Sequence, residues 1–179
     1  MPRCRPAVFA LALAVSAVAL AASVVVRAQE FGLGRTPTAD EIRRLDLSIP
    51  PSGEGLPPGS GTAERGKTVY ETQCTRCHGA TGREGPQEVI VGGRGSLTTA
   101  KPLKTVGSYW PYATTLWDYV NRAMPFDRPG TLPPDDVYAA VAYVLRLNDI
   151  VSDTDVMDAT TLPTVRMPNR EGFFQDNRR

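Results

Sequence analysis

Residues 74–78 read Cys-Thr-Arg-Cys-His, and His78 is the only histidine in a chain of 179 residues. This CxxCH run constrains the fold more than any other feature, because each reactive side chain has a defined job in attaching a c-type haem. The two thiols can form thioethers to porphyrin vinyl groups. The histidine is then carried beneath the iron as its fifth ligand. Spacings of three and four set the three side chains on one helical face. Other uses of the run fit less well. A structural zinc site needs a fourth ligand, and the remaining cysteine, Cys4, lies far upstream in an apolar stretch. A redox CxxC sits in a βαβ setting, which the pattern lacks. A disulfide across two residues leaves His78 without a role. One covalent haem c is the expected cofactor.

The N-terminus reads as a secretory leader over residues 1–28. Arg3 and Arg5 form a basic start, and Ala7 to Val26 is apolar apart from Ser16 and Ser23. Val26-Arg27-Ala28 then offers small residues for cleavage before Gln29. The expected location is the periplasm. The apolar run is long enough to span a bilayer, so membrane association is expected only if the leader is not cleaved. Losing Arg3, Arg5 and Arg27 would take the formal charge from +1 to −2. A nearly neutral chain without a Lys/Arg cluster excludes a nucleic-acid partner. Both cysteines after the leader sit in the haem motif, so no structural disulfide is available. The haem must then double as the hydrophobic core of a small, Gly- and Pro-rich domain.

Residues 29–61 read as an extended arm. Thr38 with Glu41 three residues later signals a capped short helix, followed by Pro, Gly and Ser. The first convincing helix runs from Thr62 to Cys74, with Gly66, Val69, Tyr70 and Gln73 at helical spacing. Gly61-Thr-Ala-Glu-Arg-Gly-Lys-Thr also matches the phosphate-binding loop pattern. That mechanism needs a buried strand before the loop, and Leu-Pro-Pro-Gly-Ser is a poor one. Gly79 to Pro111 lacks a period and is too long for an idle connection. A second helix is expected over Thr114–Ala123, with Leu116, Trp117, Val120 and Ala123 inward and Pro125 ending it. A third starts near Pro134, with Asp135 and Asp136 favourable in its first turn. Its apolar stripe is Val137, Ala140, Val141, Val144 and Leu145. Residues 62–150 thus form the haem domain, and 151–179 read as an irregular tail.

A low-spin electron carrier needs a sixth iron ligand, and with no second histidine methionine is the natural donor. Met124, before Pro125 at a helix end, is the expected ligand. Met167 is the runner-up, and Met157, between acidic residues, is expected at the surface. A neutral thioether favours ferrous over ferric iron and raises the potential.

The order Gly66-x-x-x-Tyr70, Cys74-x-x-Cys77-His78-Gly79, Gly85-Pro86, Met124-Pro125 and Asp136-Val137…Ala142-Tyr143-Val144-Leu145 resembles class I cytochromes c. The resemblance implies an all-α fold of about three main helices, with long loops wrapped around one covalent haem. It implies that the first and last helices cross at Gly66, Tyr70 and Tyr143. It also implies that the Pro86 carbonyl accepts the free N–H of the axial His78, a bond that fixes the ring. A narrower resemblance rests on five stretches. They are Phe31-Gly-Leu-Gly-Arg-Thr-Pro-Thr, Gly55-Leu-Pro-Pro-Gly-Ser-Gly, Lys104-Thr-Val-Gly-Ser-Tyr-Trp-Pro-Tyr-Ala, Arg122-Ala-Met-Pro-Phe and Met167-Pro-Asn-Arg-Glu-Gly-Phe. These look like the cytochrome subunits of periplasmic sulfite and sulfane dehydrogenases. Some members of that group have two haems, whereas this chain has one CxxCH. The likeness implies a molybdenum-cofactor dehydrogenase as electron donor and a further protein as downstream acceptor. Arg94, Lys104, Tyr109 and Trp110 carry donors suited to haem propionates.

The expected function is single-electron transfer, with no catalytic residue of its own. A haem enzyme or ligand sensor with a displaceable sixth ligand is the alternative, and a purely structural haem domain is a third reading. A cysteine ligand or a distal histidine would favour the enzyme or sensor, and the sequence offers neither. The arm (residues 31–61) and the tail (residues 153–173) are expected to dock onto the dehydrogenase.

Overall fold

The computed structural model describes residues 34–177. The leader, Cys4 and the start of the arm through Leu33 lie outside the described residues. The chain divides into two units, Met1–Arg44 and Leu45–Arg179. The described part of the first unit holds all but the last residue of α1 (Ala39–Leu45), none of whose side chains is buried. Local chemistry forms this helix. Thr38 Oγ1 accepts the Glu41 amide at 3.3 Å, and the Glu41 carboxylate accepts the Thr38 amide at 2.8 Å. The Arg35 guanidinium also binds Glu41, and it holds that carboxyl down to about 2, helped by the Thr38 amide and hydroxyl.

The second unit contains β1 (Ser60–Thr62), α2 (Ala63–Gln73), α3 (Thr75–His78), α4 (Ala113–Ala123), α5 (Pro134–Leu147) and β2 (Val156–Asp158). Short 3₁₀ turns lie at Ser96–Thr98 and Leu162–Thr164. Thr62 caps α2 by accepting the Arg65 amide at 3.3 Å. Residue 63 is already helical, so the Gly61-to-Thr68 match forms no phosphate-binding loop. Pro134 opens α5. Asp135 accepts the Ser60 amide at 2.8 Å, and Asp136 accepts from Arg65 at the same distance.

The two longest-separated helices of this unit meet where α2 crosses α5. Gly66 allows it: a Cβ there would lie 2.6 Å from the Ala139 carbonyl carbon and 2.9 Å from Tyr143 Cβ. One turn on, the Tyr70 and Tyr143 rings pack with centroids 5.2 Å apart. Val137 to Ala142, with Val144 and Leu145, are buried along α5, a wider face than the expected stripe. From α4, Leu116 and Trp117 point inward, and Trp117 packs on Tyr138 at 5.4 Å.

The expected all-α class needs one amendment. β1 and β2 pair antiparallel, with Gly61 opposite Met157. Sequence patterns miss such a pair, because each strand has three residues and β1 is Ser-Gly-Thr. Two further expectations change with it. Met157 is buried at 4% exposure in the ribbon, because β2 turns it inward against α5. Arm and tail also belong to the core. Ile49 donates its amide to Asp118 at 2.9 Å, and Pro57 accepts from the Tyr138 hydroxyl at 2.9 Å. Leu162 and Met167 are buried in the same cluster. Among the described residues, no helix is long and apolar enough to cross a membrane.

Candidate functional site

α2 ends at Gln73, and Cys74 (φ −120°, ψ −32°) breaks the axis before α3. The Cys74 carbonyl then accepts the amides of Cys77 and His78, at 3.1 and 2.9 Å. This turn presents the CxxCH side chains to one cavity of about 520 Å³, within the roughly 300–1,000 Å³ range of cofactor pockets. Met124, the residue that caps the C-terminus of α4, lines the same cavity. Its walls are largely apolar, with Ile90, Val106, Leu116, Val120, Ala140 and Val144 among them. Met167 lies in the core cluster and outside this lining.

The imidazole of His78 is held by a residue that the sequence pattern did not single out. Nδ1–H donates to the Glu88 carbonyl at 3.1 Å, where the resemblance implied Pro86. The loop geometry explains the shift. A Cβ at Gly85 would sit 2.6 Å from the His78 carbonyl carbon, so only glycine lets this strand of loop run against α3. The Gln87 amide then donates to the Cys77 carbonyl at 3.0 Å. This places the next carbonyl, that of Glu88, at the ring, while Pro86 faces solvent. With Nδ1 protonated, Nε2 keeps a free lone pair for a metal. Burial, with Cys77 nearby, pushes the Cys74 thiol up to about 11. The thiol is therefore neutral at physiological pH, as suits an apolar pocket. Tyr70, raised first by burial, donates its hydroxyl to the Gly79 carbonyl at 3.0 Å and closes the turn after His78.

The four expected propionate donors separate. Lys104 and Trp110 line the cavity; Arg94 and Tyr109 do not. Arg94 donates to the Asn148 carbonyl at 3.0 Å, because the carbonyl-rich end of α5 attracts a cation. Tyr109 packs edge-on against Phe173 at 5.2 Å, with Lys104 Nζ 5.0 Å over its ring. Asn148 organises the long loop. Its side chain accepts the Gly92 amide at 2.9 Å and donates to the Ile90 carbonyl at 3.3 Å. At the cavity rim, Arg76 binds Asp127 at 3.1 Å, and Arg128 donates to Gln73 at 2.7 Å. These pairs tie the loop after Met124 to the elements that carry the thiols. Phe126, 84% exposed, and Tyr119 are large apolar groups at the same rim. Neither Glu88 nor Asn148 was detectable as functional in the sequence. One acts through a backbone carbonyl that any residue carries, and the other is a single amide after Leu147.

The donor set fits a covalent haem. Two thiols, an imidazole with Nε2 free and a thioether share one apolar cavity, and charged groups stay at its rim. Comparison with known proteins agrees with this. The family described as "Cytochrome C oxidase, cbb3-type, subunit III" matches residues 61–144. A chain in the crystal structure of the sulfane dehydrogenase SoxCD from Paracoccus pantotrophus is 43% identical. The likeness covers 83% of this chain and 73% of that one, with a TM-score of 0.74. No curated protein matches.

Proposed function

Because the chain belongs to the c-type cytochromes of the kind found in sulfane dehydrogenase, we propose that it is an exported, monohaem electron-transfer subunit. In this reading it works in the periplasm. It accepts single electrons from a molybdenum-cofactor dehydrogenase acting on sulfite or a sulfane sulfur and passes them to a downstream protein. One observation carries the proposal: Cys74, Cys77, His78 and Met124 line a single apolar cavity.

Each residue then has a task. Cys74 and Cys77 would hold the haem by thioethers, and His78 Nε2 and Met124 Sδ would ligate its iron. Bound haem supplies one-electron ferric/ferrous chemistry. The Glu88 carbonyl keeps the Nδ1 proton of His78, fixes the ring and raises its basicity. The Met124 thioether is neutral and favours the reduced state. The apolar walls exclude water. Phe126 and Tyr119 offer a rim against which a partner can approach closely.

The test begins with denaturing electrophoresis, which should leave peroxidase-active haem on the polypeptide band. The ferric protein should show the weak far-red sulfur-to-iron band, and Met124→Ala should abolish it and admit cyanide. Sulfite or a sulfane donor should reduce the protein only when the dehydrogenase is present. Loss of haem on denaturation, or direct reduction without a partner, would refute the reading.

A further inference from the structure

The segment Met167-Pro-Asn-Arg-Glu-Gly-Phe resembles a stretch of the cytochrome subunits, yet it lies beyond the helices that form the cavity. Its contacts are intramolecular. Met167 anchors it in the core at 3% exposure. Asn169 Nδ2 donates to the Tyr109 carbonyl at 2.8 Å. The Arg170 guanidinium lies 4.5 Å over the Tyr112 ring, and the Phe173 ring packs edge-on to Tyr109 at 5.2 Å. The Gly172 amide bonds the Asn169 carbonyl at 3.1 Å, which turns the chain so that Phe173 can return to Tyr109. Three side chains of one short segment thus grip residues 109 and 112. Between them sits Trp110, which lines the cavity and packs on Tyr119 at 5.6 Å.

We propose that residues 167–173 form a strap that positions Trp110 as a wall of the cavity and keeps water from the haem. The proposal rests on the haem reading above. Asn169 is a positioning residue: it fixes the backbone on which Trp110 is carried. A loosened wall would admit water, and water stabilises the more highly charged oxidised state, so the potential would fall. The same contacts account for the motif without a partner, in place of the docking role expected for the tail.

The experiment uses the full-length, haem-loaded protein. Asn169→Ala with Phe173→Ala should keep covalent haem and the far-red band. It should shift the oxidation–reduction equilibrium by about tenfold toward the oxidised state, a fall of about 59 mV for one electron. Trp110→Ala should give a similar fall, and combining it with the strap variant should add little, since both act through one wall. Phe174→Ala is the control, because Phe174 is 92% exposed, and it should change nothing. If the double variant does not fold, Asn169→Ala alone should give a smaller fall of the same sign. An unchanged potential with slower reduction by the dehydrogenase would overturn the strap and make the segment a docking arm. An additive effect with Trp110→Ala would also overturn it. Absence of covalent haem in the unaltered protein would instead refute the proposed function.

Discussion

In an ordinary exposed helix, replacing glycine by alanine stabilises by about 1 kcal/mol. At Gly66 the structure reverses the sign. An alanine Cβ would lie 2.6 Å from the Ala139 carbonyl carbon and 2.9 Å from Tyr143 Cβ. Carbon contacts are favourable only from about 3.5 Å. Backbone faces backbone here, so no flexible side chain can yield. α2 and α5 would have to separate by about 1 Å, which forfeits roughly a quarter to a half of each dispersion contact along the crossing. The Tyr70 and Tyr143 rings, inclined at 54° to each other, lie on that crossing and would part with it. Overpacking costs about 1–3 kcal/mol, and this site belongs at the upper end. After the helix-propensity gain, a net loss of about 2 kcal/mol is expected. Thermal unfolding of the haem-loaded protein, followed in the far ultraviolet and at the Soret band, should show the midpoint lower by about 8 °C. In urea the midpoint should fall with an unchanged slope. Lys67→Ala, at an exposed neighbour on α2, should stay within about 0.5 kcal/mol of the parent. A Gly66→Ala protein as stable as the parent, or more stable, would refute the close crossing.

Three further outcomes follow from named contacts. Gly85→Ala should push residues 85–88 off α3 and break the His78–Glu88 bond, which makes the imidazole a weaker donor to ferric iron, seen as a shifted ferric spectrum and a higher potential with covalent haem retained; an unchanged potential would show that this bond does not tune the ring. Burial raises the Asp118 carboxyl, but the Arg122 pair and the Ile49 amide outweigh it, so its titration lies below the ordinary 3.8. The stability it contributes is full above that value and lost as pH falls through the depressed one. Asp118→Asn should therefore cost about 1–2 kcal/mol near pH 7, narrowing below pH 4; a gap independent of pH would refute the assignment. Deleting residues 29–44 should leave the spectrum and melting point unchanged, because α1 buries no side chain, yet slow reduction by the dehydrogenase; unchanged kinetics would exclude a docking role for the arm.

What the sequence disclosed was chemistry written locally. The CxxCH run, the Thr38–Glu41 box, Pro134 at the start of α5 and the helical stripes all act within one or two turns, so a linear pattern reveals them. The placement of Met124 at the cavity was legible because few other methionines compete with it and Pro125 ends its helix. What escaped depends on how the chain returns on itself. A backbone carbonyl accepts the His78 proton, so the identity of residue 88 carries no signal. Arg94 suits a propionate as well as it suits a helix terminus; only the path of the Gly-rich loop sends it to Asn148. Tyr109 and Trp110 are adjacent and similar in type, yet the chain turns one to the cavity and the other to Phe173.

The arm and tail show the same limit at larger scale. A haem can serve as the core on one side of the three helices, but α4 and α5 also have a rear face. Ile49, Leu56, Met157, Leu162 and Met167 cover it. Each fully buried aliphatic side chain contributes about 1.5–3 kcal/mol. Met157, Leu162 and Met167 alone therefore approach the whole net stability of a domain, about 5–15 kcal/mol. Segments rich in Pro, Gly and Asp look dispensable because most of their residues are solvent-facing. A few apolar side chains, spaced without period, make them part of the fold. The short β1–β2 ribbon fixes the register that brings Met157 inward, so the domain ends well beyond the last helix.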